Sequence, residues 1–267
     1  MSAAQPLIHP TAIIDPAARL HATVSVGPYS IVGADVEIGE HTVVGPHVVL
    51  SGPLRIGVRN RIYQFSSLGE LSQDKSAKAE DPTSVEIGDD NTIREYVTIQ
   101  RGTLKSLAET GGVTRVGNGN WIMANVHIAH DCLVGDENIL ANGVTMAGHV
   151  TIEDYVGLGG FTLIHQFCRV GAYSFTGGGS VILRDVLPFL MAEGHPSRPR
   201  GINSEGLKRR GFSDDEISVI RDAYKLIFVS GALMPEIKIR LAEMAQTSPH
   251  CHRMLAFIEN SKRSLMR

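Results

Sequence analysis

Residues 8–50 read IHPTAIIDPAARLHATVSVGPYSIVGADVEIGEHTVVGPHVVL, with an aliphatic residue at every sixth position: Ile8, Ile14, Leu20, Val26, Val32, Ile38, Val44, Leu50. The phase runs on through Ile56, Ile62 and Leu68 and resumes at Ile87, Ile93 and Ile99. It returns from Val116 through Ile122, Ile128, Val134, Leu140, Met146, Ile152, Leu158 and Ile164 to Val170. Neither an amphipathic helix nor an alternating strand holds a period of six over so long a stretch, so the chain is a repeat structure. The hexad residue is often followed by Gly, as at Gly27, Gly33, Gly39 and Gly45, which marks a turn that a side chain obstructs. The pattern predicts a parallel β-helix of short flat strands, three to a coil, so residues eighteen apart stack on one another. About ten coils at the ~4.8 Å strand spacing make a prism roughly 48 Å long.

Two polar stretches, about 70–85 and 102–115, lack the phase and are expected to loop out of the coils. Insertions into a solenoid tend to gather on one face, often the binding face. The β-helix is expected over residues 1–186 and a small helical domain over 187–267, beginning where Pro188, Pro196 and Pro199 break the pattern. Ser213 with Glu216 forms a capping box that opens a helix through Ile217, Ile220, Tyr224 and Phe228, with Gly231 just past its end. Two more helices are predicted, about 235–246 and 250–265. A closed homotrimer about an axis parallel to the prism is the expected assembly, because coils alone leave much flat surface uncovered.

The bulk numbers exclude several classes. The chain holds no 18-residue apolar span, and MSAAQPLIHPTAIID lacks the basic and apolar regions of a signal peptide, so neither membrane insertion nor export is expected. Cys132, Cys168 and Cys251 match no metal-ligand spacing and fit a reducing cytoplasm. Residues 187–267 carry 13 Lys/Arg against 9 Asp/Glu, net +4, which leaves −7 for the rest. That tail is too weakly basic for nucleic acid and is suited to an acidic protein partner.

The chemistry concentrates in ANVHIAHDC, residues 124–132, where His127 and His130 flank the hexad Ile128 and Asp131 follows; His149 and His165 come later. Gly148 lies eighteen residues after His130, and His149 eighteen after Asp131, so each pair stacks on adjacent rungs. An imidazole beside a bare backbone amide supplies a general base and an oxyanion donor. Zinc is the competing reading of the histidines. Against it, His-x-x-His on a hexad strand does not bring both rings to one side, and no carboxylate or Cys is expected to complete a set.

The segments IREYVTIQRGT (93–103), HIAHDCLVG (127–135), LANGVTMAGHV (140–150), IHQFCRVGAYS (164–174) and NSEGLKRRGFS (203–213) closely resemble UDP-N-acetylglucosamine O-acyltransferases. The resemblance runs nearly end to end and implies a left-handed β-helix, a homotrimer with active sites between subunits, no cofactor and no metal. It implies transfer of a 3-hydroxyacyl chain from acyl carrier protein to the 3-hydroxyl of UDP-N-acetylglucosamine, the first step of lipid A synthesis. His130 would be the base, Asp131 its orienting partner, and the Gly148 amide the oxyanion donor. Asp74, His127, His149 and His165 would lie at the sugar, and Gln166 would come from the facing subunit. Asn203, Glu205, Arg209 and Arg210 would hold the nucleotide, paired arginines suiting phosphate. Gly178 would gauge acyl length, its small size favouring a long chain. Lys208, Arg209, Arg210, Arg221 and Lys225 would meet the carrier protein.

The sequence departs from the family in two places. Where members carry a Lys shortly after the first-loop Asp, the chain reads Gln73-Asp74-Lys75-Ser76-Ala77-Lys78, so either Lys75 or Lys78 serves; Gln100 stands where His is usual. A 3-amino UDP-sugar acceptor, giving an amide, therefore stays open. So do a zinc-dependent lyase of the β-helical carbonic anhydrase type and a purely structural solenoid.

Overall fold

In the computed structural model, which describes residues 7–267, every hexad aliphatic from Ile14 on lies in a strand of two to four residues and points inward. The first six residues lie outside that description. Three parallel sheets of nine, eight and ten strands form the walls of a left-handed β-helix. The first sheet runs from Ile13–Ile14 to Val181–Ile182, the second from Arg19–Leu20 to Arg169–Val170, and the third from Ser25–Val26 to the hairpin Leu190–Gly194/Ser197–Ile202. The chain visits them in that order, and pairing is in register one coil apart, as in His127↔Thr145 and Ile128↔Met146.

Strands this short hold together because each inward side chain stacks on its own kind. Val32, Leu50, Leu68, Ile99, Ile128, Met146 and Ile164 form one buried column, at about 25 cal/mol per Å² of apolar surface removed from water. Polar interior positions are paired along the axis. Asn60, Asn91 and Asn120 form an amide ladder, each side-chain NH₂ donating to the previous carbonyl at 3.0 Å. Those partners are 31 and 29 residues apart instead of eighteen, which registers the two insertions. Corners are turned by residues in the left-handed region, among them Asp131 (φ 60°), His149 (61°), Tyr155 (60°) and Phe167 (64°).

The second insertion is not a plain loop. It contains a 3₁₀ turn, Leu104–Ser106, and the short helix α1, Leu107–Thr110. Beyond Pro188 the chain does not turn directly to helix either. Leu190–Gly194 adds one more rung to the third sheet, and Ser197–Ile202 folds back antiparallel on it. Pro199 is tolerated because that strand is the sheet's outer edge. Helices α2 (Ser204–Arg209), α3 (Asp214–Phe228), α4 (Met234–Ala245) and α5 (Pro249–Glu259) follow. The Ser213–Glu216 capping box is present on α3. Helix α5 stops at Glu259, short of the predicted 265, and its tail returns to the prism, where Leu265 bridges to Asp185 and Met266 is buried.

The three outer faces differ. The second sheet is charged, with Arg19–Glu37 and Arg115–Glu86 ion pairs along it. The first exposes Ile13, Ile31 and Leu163, and the third exposes Val43, Trp121, Ile139 and Phe175.

Candidate functional site

Asp131, His149 and Phe167 occupy one corner column, between the first and second sheets. The register that aligns Ile128 with Met146 carries Gly148 to the rung beside His130, and His149 N–H donates to the His130 carbonyl at 3.0 Å. A Cβ built on Gly148 falls 2.3 Å from His130 Cε1 and 2.6 Å from Nε2, so only glycine leaves room for the ring. The Gly148 N–H donates to no backbone carbonyl among the described residues. It is therefore an open donor at the edge of the imidazole.

Asp131 is the anchor. Its side chain is fully buried, and four donors meet its two oxygens. Oδ1 accepts from Thr103 N–H at 2.9 Å and from Ser106 Oγ; Oδ2 accepts from Thr103 Oγ at 2.7 Å and from His130 Nδ1 at 2.8 Å. Burial alone pushes this carboxyl up, but the bonds from His130, Ser106 and Thr103 outweigh it and hold the group at about 2. An ionised Oδ2 can only accept, so the proton of the neutral His130 ring sits on Nδ1 and the Nε2 lone pair is free. Gly102 permits this packing, since a Cβ there meets Asp131 Oδ1 at 2.7 Å and Gly112 O at 2.3 Å.

Burial favours the neutral form of both neighbouring histidines. Burial lowers the pKa of His127, with the His130 charge adding to it, and Thr98 Oγ lies 2.7 Å from its Nδ1. Burial also lowers His149, partly offset by Asp131; its ring stacks on Phe167 at 4.4 Å and stands edge-on to His130. His165 and Gln166 are exposed one rung further along, with Arg263 reaching His165 Nδ1 at 3.1 Å. A groove of about 430 Å³ runs past His149 and Asp131 between the second insertion and the C-terminal tail.

Two expectations change. A carboxylate does join the histidines: potential ligand atoms of His130, Asp131 and His149 lie within 4.8 Å of one another. The converging rings are His130 and His149, not the His127–His130 pair, because the stack and not the strand brings them together. Both Asp131 oxygens are already occupied by donors, however, which suits an orienting anion better than a metal ligand. The lysine that pairs with the first-loop carboxylate comes from elsewhere than Lys75 or Lys78. Lys105, from the second insertion, places Nζ 2.6 Å from Asp74 Oδ2 and holds that carboxyl well below its usual range. Gln100 is buried and accepts from Gln73 N–H at 3.2 Å, so it too secures that loop. Thr103, Lys105 and Ser106 lie in a stretch without hexads, and no periodicity pointed to them.

Asn203, Glu205, Arg209 and Arg210 sit elsewhere, with Tyr155 and Tyr173 around a cavity of about 630 Å³ at the corner between the second and third sheets. Arg210 lies over the Tyr155 ring at 4.6 Å and 3.6 Å from Glu137. Asn203 caps α2 by accepting from Gly206 N–H, and its amide donates to Tyr173 O at 2.9 Å. Gly178 is at the third corner, where a Cβ meets only Gly160 O, at 3.5 Å. Within one chain, then, the histidine cluster and the arginine pocket lie at different corners.

Comparison with known proteins shows what the chain is similar to. The second-domain model of UDP N-acetylglucosamine O-acyltransferase matches residues 185–266, and the bacterial transferase hexapeptide model matches 17–52 and 114–148. A protein of Janthinobacterium sp. named acyl-[acyl-carrier-protein]–UDP-N-acetylglucosamine O-acyltransferase is 51% identical over 265 residues, 98% of this chain and 99% of its own. A protein of the same name from Thiobacillus denitrificans is 49% identical over 260 residues, 97% and 99% of the two chains. The crystal structure of UDP-N-acetylglucosamine O-acyltransferase from Moraxella catarrhalis superposes with a TM-score of 0.94 at 47% identity, covering 98% of this chain and 100% of that one.

Proposed function

The chain belongs to the family of acyl-[acyl-carrier-protein]–UDP-N-acetylglucosamine O-acyltransferases, and from its site we propose how it carries out that transfer, the first step of lipid A biosynthesis. The observation that carries the mechanism is the His130 ring, bonded through Nδ1 to a buried anion and set edge-on to the free Gly148 amide. His130 Nε2 takes the proton of the sugar 3-hydroxyl as that oxygen attacks the thioester carbon of 3-hydroxyacyl carrier protein. The tetrahedral oxyanion receives the Gly148 N–H. Collapse expels the carrier thiolate, which leaves as thiol with the proton from His130. Asp131 stabilises the imidazolium between the two proton transfers.

The working unit is a homotrimer in this reading. The first and third sheets carry exposed apolar residues and the second is charged. Packing the first face of one subunit against the third face of the next brings the histidine corner of one beside the arginine pocket of the other. Arg209 and Arg210 then hold the diphosphate over the neighbour's His130, while Asn203 and Glu205 bind the base and ribose. Asp74, His127, His149, His165 and Gln166 surround the sugar, and the open corner at Gly178 admits a long acyl chain. The exposed basic residues Lys208, Arg221 and Lys225 receive the acidic carrier protein in the cytoplasm, and among the described residues no helix is long and apolar enough to cross a membrane.

Mixed trimers test this arrangement. His130→Ala and Arg210→Ala subunits, each impaired alone, are unfolded together and reassembled one to one. About a quarter of the sites then contain both native groups, and activity returns in that proportion. Activity no higher than the mean of the two parents contradicts a shared site.

A further inference from the structure

The second insertion touches the dyad as well as the rim of the groove. Ser106 is 1% exposed, and its Oγ points at Asp131 Oδ1. The hydroxyl has one proton and two acceptors in reach, Asp131 Oδ1 and Thr103 O at 3.2 Å, and the ionised carboxylate is the stronger. The 3₁₀ turn and α1 fix that hydroxyl in place: Thr110 Oγ donates to Ser106 O at 3.2 Å, Lys105 reaches Asp74, and Glu109 lies 3.7 Å from Lys262 of the C-terminal tail.

We propose that Ser106 is a positioning residue of the His130–Asp131 pair: delivered by the segment 104–110, its hydroxyl fixes the carboxylate and draws off part of its charge, which sets the basicity of His130. The inference rests on His130 being the base. The groups facing that ring are Asp131 on its own corner, His127 on the strand before it and His149 on the next rung, and Lys105 and Glu109 of the insertion act in turn on His149. Without the Ser106 hydroxyl, Oδ1 keeps only the Thr103 N–H, and more negative charge faces Nδ1–H. The imidazolium is then better stabilised, so more acid-side enzyme carries a protonated, inactive base.

The test is the pH profile of kcat/KM for Ser106→Ala beside a proton titration of the His130 ring by NMR in the same folded protein. The acidic limb and the ring titration are both expected to move up by roughly half a pH unit, a loss of about threefold on the limb with the plateau nearly kept. Ser106→Cys, close in size and a weak donor, should behave like Ala, and Ser106→Thr should restore the limb. A ring titration that stays in place in both Ala and Cys variants overturns the proposal, as does an equal loss at every pH that Thr does not rescue. If the ring moves while the limb stays, the Ser106 clamp stands and the role of His130 as base fails.

Discussion

Replacing Gly148 with Ala changes one methyl group and isolates the position of the base from every other feature of the site. Gly148 has no positive φ, so its backbone accepts Ala without strain, and the N–H that serves the oxyanion is kept. The new Cβ falls 2.3 Å from His130 Cε1, against about 3.4 Å for an ordinary contact, so the ring must retreat by about 1 Å. The edge-on His149 closes the other side, and the ring can withdraw only by giving up the 2.8 Å bond to Asp131. A charge-assisted bond of that kind is worth about 1.5–3 kcal/mol, or ~10–150-fold, and a 1 Å misplacement of a reacting group costs ~10²-fold. Gly148→Ala should therefore lose about 10²-fold in kcat, with a small change in KM for either substrate and a thermal midpoint lowered by several degrees, at ~2–4 °C per kcal/mol lost. The assay is steady-state transfer from 3-hydroxyacyl carrier protein, with melting followed in parallel. Activity within about threefold of the parent refutes the reasoning, because a displaced ring cannot then be the base.

Other consequences can be checked separately. Asp131 is held at about 2 against 3.8 in the unfolded chain; its folded pKa is depressed, so its contribution of about 2 kcal/mol is complete above pH 4 and disappears as pH falls towards 2. The stability gap between the parent and Asp131→Asn in denaturant melts should close over that window, and a gap constant down to pH 2 contradicts the assignment. Lys105→Ala releases Asp74 and should raise KM for the nucleotide sugar several-fold, while Lys75→Ala and Lys78→Ala leave it nearly unchanged; the reverse order removes the role given to Lys105. Burial pushes the Cys132 thiol up to about 12 and also raises Cys168 and Cys251. A thiol reagent at neutral pH should therefore label none of the three quickly until the protein unfolds, as timed colorimetric labelling would show.

The hexad phase made the coil legible because each strand is a single period with one inward residue, so composition and geometry repeat together. Stacking arithmetic alone places Gly148 against His130 and His149 beside Asp131. The same arithmetic failed where the period stops. Thr103, Lys105 and Ser106 reach Asp131 and Asp74 from a segment whose path is set by tertiary contacts, and nothing in its spacing marks them. The Leu190–Ile202 hairpin was hidden by its prolines, which signal a break in most contexts but are harmless on an edge strand. The separation of Arg210 from His130 was equally invisible along the chain, since only the three-sided cross-section reveals which corner each occupies.

The most direct test of the central claim is a mass-resolved competition. The purified protein is offered UDP-N-acetylglucosamine, its 3-amino analogue and a ladder of 3-hydroxyacyl carrier proteins. The account predicts a single dominant product, the 3-O-ester of UDP-N-acetylglucosamine bearing one long chain. Preferential formation of the amide would contradict the assigned acceptor, and no transfer to either sugar would contradict the function itself.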